Sequence, residues 1–407
     1  MTEMLGFRRQ DGHFGIRNHI VVIHLGEAMR QLARRMARPL DRHGVEAIGF
    51  VSAEPNPYIR KILRCLAAHP NVGAALVLEA ASSSLGVELT TWIEASGRPA
   101  RHIDCRSLGG GGKAVTVGGM WLAETLEALR STDRSPFQVS DLSVATICGG
   151  SDSTSALSAN PGIGLAYDRL LAEGATAIFE ETGELIGCDH LLAKRAKTPE
   201  VASAILAAMS KAVRYFDALG HGSFAPGNAD GGLTTIEEKS LGAYAKSGSG
   251  PISGVIRPGD RPPVPGLYLM DKIPDGPLRY GFSDATDNVG IVEMIASGAQ
   301  LVLFSTGRGS VVGSAISPVV KICANPDTYR QLTEDMDVDA GRILEGRGTL
   351  TSLGDEIYDL VLRVAAGARP ASERLGHREF ILTHKAFADS PPSGSTAHSS
   401  TGAAQTE

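Results

Sequence analysis

The chain has 407 residues, a formal net charge of −6, 43% apolar and 5% aromatic residues, and 48 glycines. That length predicts two or three domains, or one large α/β unit. The mild acidity gives no basic footprint for nucleic acid, and no apolar run reaches the roughly 18 residues of a membrane span. The polar start, Met1 to Gly12, lacks the apolar stretch of a secretory leader. Five widely spaced cysteines form no Cys-x-x-Cys pair, so a disulfide framework and a structural zinc site are not expected. A reducing, cytoplasmic setting is the expectation.

In chain order, β-branched runs alternate with helix-period segments. Ile20–His24, Ala47–Ser52, Ala74–Leu78 and Arg101–Asp104 read as strands, while Ile59, Ile62, Leu63 and Leu66 keep helical spacing. The polar stretch Ser131–Asp141, with Pro136, reads as a linker that closes a first domain at residues 1–135. Leu142–Cys148 and Ala175–Glu180 read as the next strands, with a helix opening at Asn160-Pro161 between them. A long helix is expected over Pro199–Ala218, its apolar stripe a core contact. Residues 220–265 carry almost no period and many Gly, Pro and Ser, and read as a long loop.

Gly266–Asp271, Leu301–Ser305 and Pro318–Cys323 read as further strands, with helices near Asn288–Ser297, from Asn325-Pro326, and over Ser352–Ala366. The expected class is therefore α/β, with Rossmann-like parallel sheets and flanking helices in two or three subdomains. The boundaries expected are 1–135, 136–265 and 266–388, followed by a disordered tail over 389–407 rich in Ser, Thr, Gly and Ala.

Loops that follow strands are where open α/β sheets bind ligands. Cys148-Gly149-Gly150-Ser151-Asp152 offers backbone N–H groups to an anion, with Asp152 either a metal ligand, a base, or the cap of an Asx-type turn. Glu180-Glu181-Thr182-Gly183-Glu184, with Cys188, Asp189 and His190, packs carboxylates, a thiol and an imidazole together. Such a set suits Mn²⁺, Mg²⁺ or Fe²⁺, or a general acid/base, or is a solvated acidic turn. Pro226–Thr235, containing Asn228, Gly231, Gly232, Thr234 and Thr235, suits a polyhydroxy acid, though Thr235–Glu238 reads equally as a helix start. Ser305-Thr306-Gly307-Arg308-Gly309 holds Arg308 as a carboxylate clamp or a salt-bridge partner. Gly109–Gly112 with Lys113 is a weaker anion site and not a Walker A loop.

At these loops the chain resembles the large catalytic region of altronate dehydratase, galactarate dehydratase and sulfolactate sulfo-lyase. The matching segments are Gly6–Asn18, Cys148–Leu165, Glu181–Leu192, Pro226–Lys246 and Gly298–Asn325, which together span most of residues 6–345. The resemblance implies a hydro-lyase that dehydrates a sugar acid or related 2-hydroxy acid to a 2-oxo-3-deoxy acid with a divalent metal, Fe²⁺ first. A sulfo-lyase releasing sulfite, or a non-catalytic sugar-acid-binding subunit, are the alternatives. It implies metal ligands among Asp152, Glu181, Glu184 and His190, and catalytic roles for Asp152, Glu181, His190, Lys239 and Arg308. Substrate contacts are expected from Gly149, Gly150, Ser151, Asn160, Asn228, Thr234, Thr235, Thr306, Gly307 and Arg308.

Two departures stand out. Family members tend to carry first-domain cysteines where this chain reads Ile23–Gly26, Ser52–Asn56 and Leu78–Ser82. They also tend to have a small β-rich domain ahead of this region, which implies a separate small β-rich subunit as partner, within an oligomer.

Overall fold

The computed structural model describes residues 4–52, 55–81, 83–220, 227–275 and 286–387. The expected tail, Pro226, and positions 53, 54 and 82 of the cysteine-free stretches lie outside them. The chain opens with β1 (Leu5–Arg8) and β2 (Phe14–Gly15), which pair antiparallel. A four-stranded parallel sheet follows, built from β3 (His19–Leu25), β4 (Val45–Phe50), β5 (Val72–Glu79) and β6 (Ala100–Asp104) in the order β4-β3-β5-β6. Its helices are α1 (Glu27–Ala37), α2 (Pro57–Ala67), α3 (Ser84–Ala95) and α4 (Gly111–Arg130). β3 and β5 are buried on both faces, as their near-continuous apolar runs require in a parallel sheet covered by helices. Asn56 caps α2 by accepting from the Ile59 amide, with Pro57 in the first turn.

The stretch read as a linker does more than connect. Within it, β7 (Ser135–Pro136) pairs antiparallel with β1, so the chain start and residues 135–136 share a small third sheet. Two short edge pairings leave too little periodicity to be read from sequence.

A seven-stranded sheet fills the rest. Its strands are β8 (Ser143–Cys148), β9 (Thr176–Phe179), β10 (Ile252–Ile256), β11 (Leu267–Met270), β12 (Leu301–Thr306), β13 (Val319–Cys323) and β14 (Val338–Asp339). The order is β10-β11-β9-β8-β12-β13-β14 and every pairing is parallel. Strands from residues 136–265 and 266–388 are thus hydrogen-bonded into one sheet, and the boundary expected at 265/266 does not divide it. The helices are α5 (Ala159–Ala172), α6 (Asp189–Lys194), α7 (Pro199–Leu219), α8 (Gly227–Asp230), α9 (Ile236–Ala245), α10 (Asp287–Ala296), α11 (Pro326–Gln331), α12 (Leu350–Ala365) and α13 (Ala371–Leu375). The expected loop over 220–265 contains α8, α9 and β10. The buried face of α9 is Lys239, Ser240, Gly242 and Ala243, which carries no apolar stripe to detect. No helix among the described residues is long and apolar enough to cross a membrane.

The two lobes share one apolar cluster, in which Ile59, Ile62 and Leu66 of α2 join Ile291, Met294 and Ile295 of α10. A polar lock lies beside it. His69 Nε2 is 3.1 Å from the Ala299 carbonyl and His69 Nδ1 accepts from the Asn71 amide at 3.0 Å, while Asn71 Nδ2 donates to the Gln300 carbonyl at 3.0 Å. Only a neutral imidazole fits, and burial holds His69 well below its ordinary pKa. A depressed folded-state pKa gives stability that is present above about pH 6.5 and lost as the pH falls, at roughly 1.4 kcal/mol per pH unit. The urea midpoint should therefore fall between pH 7 and pH 5, and His69→Gln, weaker at pH 7, should lack that part of the slope.

Candidate active site at the carboxyl edge of the seven-stranded sheet

Strand order reverses between β8 and β12, the crevice where such sheets place ligands. The loops after β8, β9, β11 and β12 converge there. Gly150 O accepts from both Gly307 N (3.1 Å) and Arg308 N (2.8 Å), which ties the β8 and β12 loops together. Two glycines are required by close approach. A Cβ at Gly149 would lie 2.1 Å from Asp287 Oδ2, and one at Gly307 would lie 2.0 Å from Asp152 Oδ1.

The centre is a set of buried charges. Lys239, on α9, donates to Cys148 Sγ (2.9 Å) and Ser151 Oγ (2.7 Å) and pairs with Glu184 Oε2 (2.8 Å). Lys246 pairs with Glu181, and Lys272 with Glu180 at 2.5 Å. Glu181 Oε1 accepts from the Cys148 amide at 2.8 Å. Glu181 is the only non-glycine among the described residues with positive φ (94°), a conformation costing about 1–3 kcal/mol that its carboxylate contacts hold in place.

Three glutamates thus meet three lysines one to one. Asp287, at the start of α10, is the carboxyl left without a lysine at ion-pair distance among the described residues. Burial, with neighbouring Glu184, pushes it up to about 6. Burial alone would lower Lys239, but Cys148 and Glu184 override it and hold that ammonium well above the ordinary lysine range. Lys239 is a resident cation with its three N–H bonds engaged and is not a proton acceptor.

A thiol and two carboxylates, Cys148, Glu181 and Glu184, bring ligand atoms within 4.8 Å of one another, the only such group of three among the described residues. That mixed donor set fits a borderline divalent metal such as Fe²⁺. Of the expected ligands, Glu181 and Glu184 are therefore brought together, Cys148 joins them, and two are placed elsewhere. His190 is exposed on α6, its Nδ1 3.8 Å from Asp189. Asp152 spends its carboxylate on the loop itself. Its Oδ1 accepts from the Thr154 and Ser155 amides (3.0 and 3.2 Å), and its Oδ2 accepts from Asn325 Nδ2 (2.9 Å). That is the Asx-turn alternative.

The expected substrate contacts divide in the same way. Ser151 sits on Lys239 and Cys148. Asn228 is buried with Nδ2 unpartnered among the described residues. Thr234 and Thr235 are spent on the α9 capping box with Glu238. Asn160 lies within α5 and accepts from Ser305 Oγ at 2.6 Å, and Thr306 Oγ1 accepts from Gly309 N. Arg308 is exposed at the rim. Sequence reasoning missed Lys246, Lys272 and Asp287: Lys246 closes the segment Pro226–Lys246 without a motif of its own, and a polar residue opening an otherwise apolar helix was the available signal for Asp287.

Residues 139–388 match the family described as D-galactarate/altronate dehydratase, C-terminal, and residues 6–130 match the D-galactarate dehydratase/altronate hydrolase second domain. The chain is 34% identical over 396 residues to the (2R)-sulfolactate sulfo-lyase subunit beta of Chromohalobacter salexigens, covering 93% of this chain and 96% of that one. It is 27% identical to the altronate dehydratase of Escherichia coli, covering 92% and 76%. It is 35% identical over 248 residues to the Escherichia coli galactarate dehydratase (L-threo-forming), covering 60% and 45%. The chain belongs to the galactarate/altronate dehydratase family.

Proposed function

We propose that this member of the galactarate/altronate dehydratase family is a lyase that eliminates water from a hydroxylated carboxylic acid and leaves a 2-oxo acid. The observation that carries the reading is Asp287: a half-buried carboxyl with no lysine at ion-pair distance among the described residues, raised to about 6 by desolvation and Glu184, beside the lysine-paired Glu180 and Glu184. As a carboxylate it takes the proton next to the substrate carboxyl group, the step a base near neutral pKa serves best. The C–O bond of the hydroxyl on the next carbon then breaks, its oxygen takes the proton back from Asp287 and leaves as water, and the enol tautomerises to the 2-oxo acid. Lys239 ties Cys148, Ser151 and Glu184 together, and Asn228 Nδ2, without a partner among the described residues, is a donor for a substrate oxygen. Cys148, Glu181 and Glu184 would hold a divalent metal, Fe²⁺ first, which when bound supplies Lewis acidity toward a carboxylate or leaving oxygen.

A second reading is supported by the near full-length match to a sulfo-lyase subunit beta: sulfite in place of water as leaving group, and a small β-rich partner chain. One assay separates them. The chain, with and without a candidate small subunit, is incubated anaerobically with Fe²⁺ or Mn²⁺ and a panel of aldonates, aldarates and sulfolactate. A 2-oxo acid without sulfite supports dehydration, sulfite supports the second reading, and no product from any acid sinks both. Cys148→Ser should lower bound metal per chain at least tenfold by elemental analysis, since a hydroxyl is a far poorer ligand than a thiolate; unchanged stoichiometry places the metal elsewhere.

A further inference from the structure

Residues 377–387 follow α13 without helix or strand, yet they run through the junction of the two lobes. Lys385, on this coil, has a fully buried side chain. Its ammonium pairs with Glu293 Oε1 of α10 at 2.6 Å and donates to the Lys272 carbonyl at 3.2 Å. Glu293, itself fully buried, also accepts from the Tyr58 hydroxyl of α2. The coil grips the same segment a second time, because the Asp275 amide donates to the Ala386 carbonyl at 2.9 Å. The first lobe in turn grips the coil. Asn56 Nδ2 donates to the Lys385 carbonyl at 2.8 Å, Phe387 lies 5.4 Å from the Tyr58 ring, and His384 packs edge-on against Phe50.

Lys272 is the residue thereby fixed, and its own ammonium neutralises Glu180 in the site. A buried ion pair is weak evidence for stability, because desolvation offsets its attraction. This pair also reaches the backbone of a site lysine, which a purely structural pair would not need.

We infer that Lys385 is a positioning residue: held by Glu293 and Tyr58, it fixes the Lys272 main chain and so keeps the Lys272 ammonium on Glu180, which couples the first lobe to the active site. Only the kinetic arm of the test rests on the lyase reading.

The test uses the full chain carrying Lys385→Met together with Glu293→Gln. Removing both charges avoids the stranded carboxylate of the single Lys385→Met variant, so folding should be retained. In its crystal structure the Lys272 ammonium should leave hydrogen-bond distance of Glu180. With an acid the wild type turns over, kcat should fall by about 10²-fold at nearly constant KM, the scale of loss from a small misplacement of site groups. A folded double variant that keeps the Lys272–Glu180 contact and wild-type kcat overturns the inference and leaves Lys385 a structural ion pair. If the wild type turns over no acid, the lyase reading falls, and the Lys272–Glu180 contact in the double variant still decides this one.

Discussion

Asp287→Asn is expected to lower kcat by about 10²–10⁴-fold, the range that a positioned general base contributes. The amide keeps the shape of the side chain against Gly149 and cannot accept the substrate proton. The wild type should lose activity as the pH falls through about 6, because protonation removes the base. Any activity left in the variant should lack that acidic limb. The variant should also be the more stable protein at higher pH. A carboxyl raised by burial from 3.8 to about 6 disfavours the folded state once it ionises, by up to about 3 kcal/mol above pH 6. Higher stability with lost turnover is the pattern of a functional group kept at a cost to the fold. Wild-type kcat with an unchanged pH profile in Asp287→Asn would move the base to another residue.

The second large effect is on the fold. Lys246→Met is expected to destabilise the chain by about 3–5 kcal/mol, read as a fall in urea midpoint, because it strands the Glu181 carboxylate in a buried site. Lys246 and Glu181 are 1% and 3% exposed at the side chain, so water cannot take the partner's place. Adding Glu181→Gln should recover most of the loss, since the amide still accepts from the Cys148 N–H through its carbonyl oxygen. If Lys246→Met alone leaves the midpoint unchanged, the pair is not what holds Glu181 in its positive-φ conformation.

Local chemistry made much of the chain legible. Apolar and β-branched runs predicted β3, β5, β8 and β12, and Thr198-Pro199 predicted the start of α7, where Thr198 accepts from the Val201 amide. The glycine-rich loops after β8 and β12 read as candidate site loops because they follow strands, expose backbone N–H groups and carry Arg308; the structure adds that a Cβ at Gly149 or Gly307 would collide with Asp287 or Asp152. Thr235–Glu238 reads equally as a substrate loop or a helix start, and the structure makes it the capping box of α9.

What the sequence determined by itself was the α/β class, the loops that meet at the candidate site and the resemblance to a family of acid lyases, because strand composition, capping and loop chemistry act over a few neighbouring residues. Which carboxylate meets which ammonium was decided only by the tertiary structure. Glu180, Glu181 and Glu184 are adjacent in the chain, while their lysines come from α9, its C-cap and the segment after β11. Asp152 and His190 belong to the same motifs, yet one closes its own loop and the other faces solvent. Pairing of buried charges depends on distances between strands, and the odd carboxyl, Asp287, is visible only once every other one has found its partner.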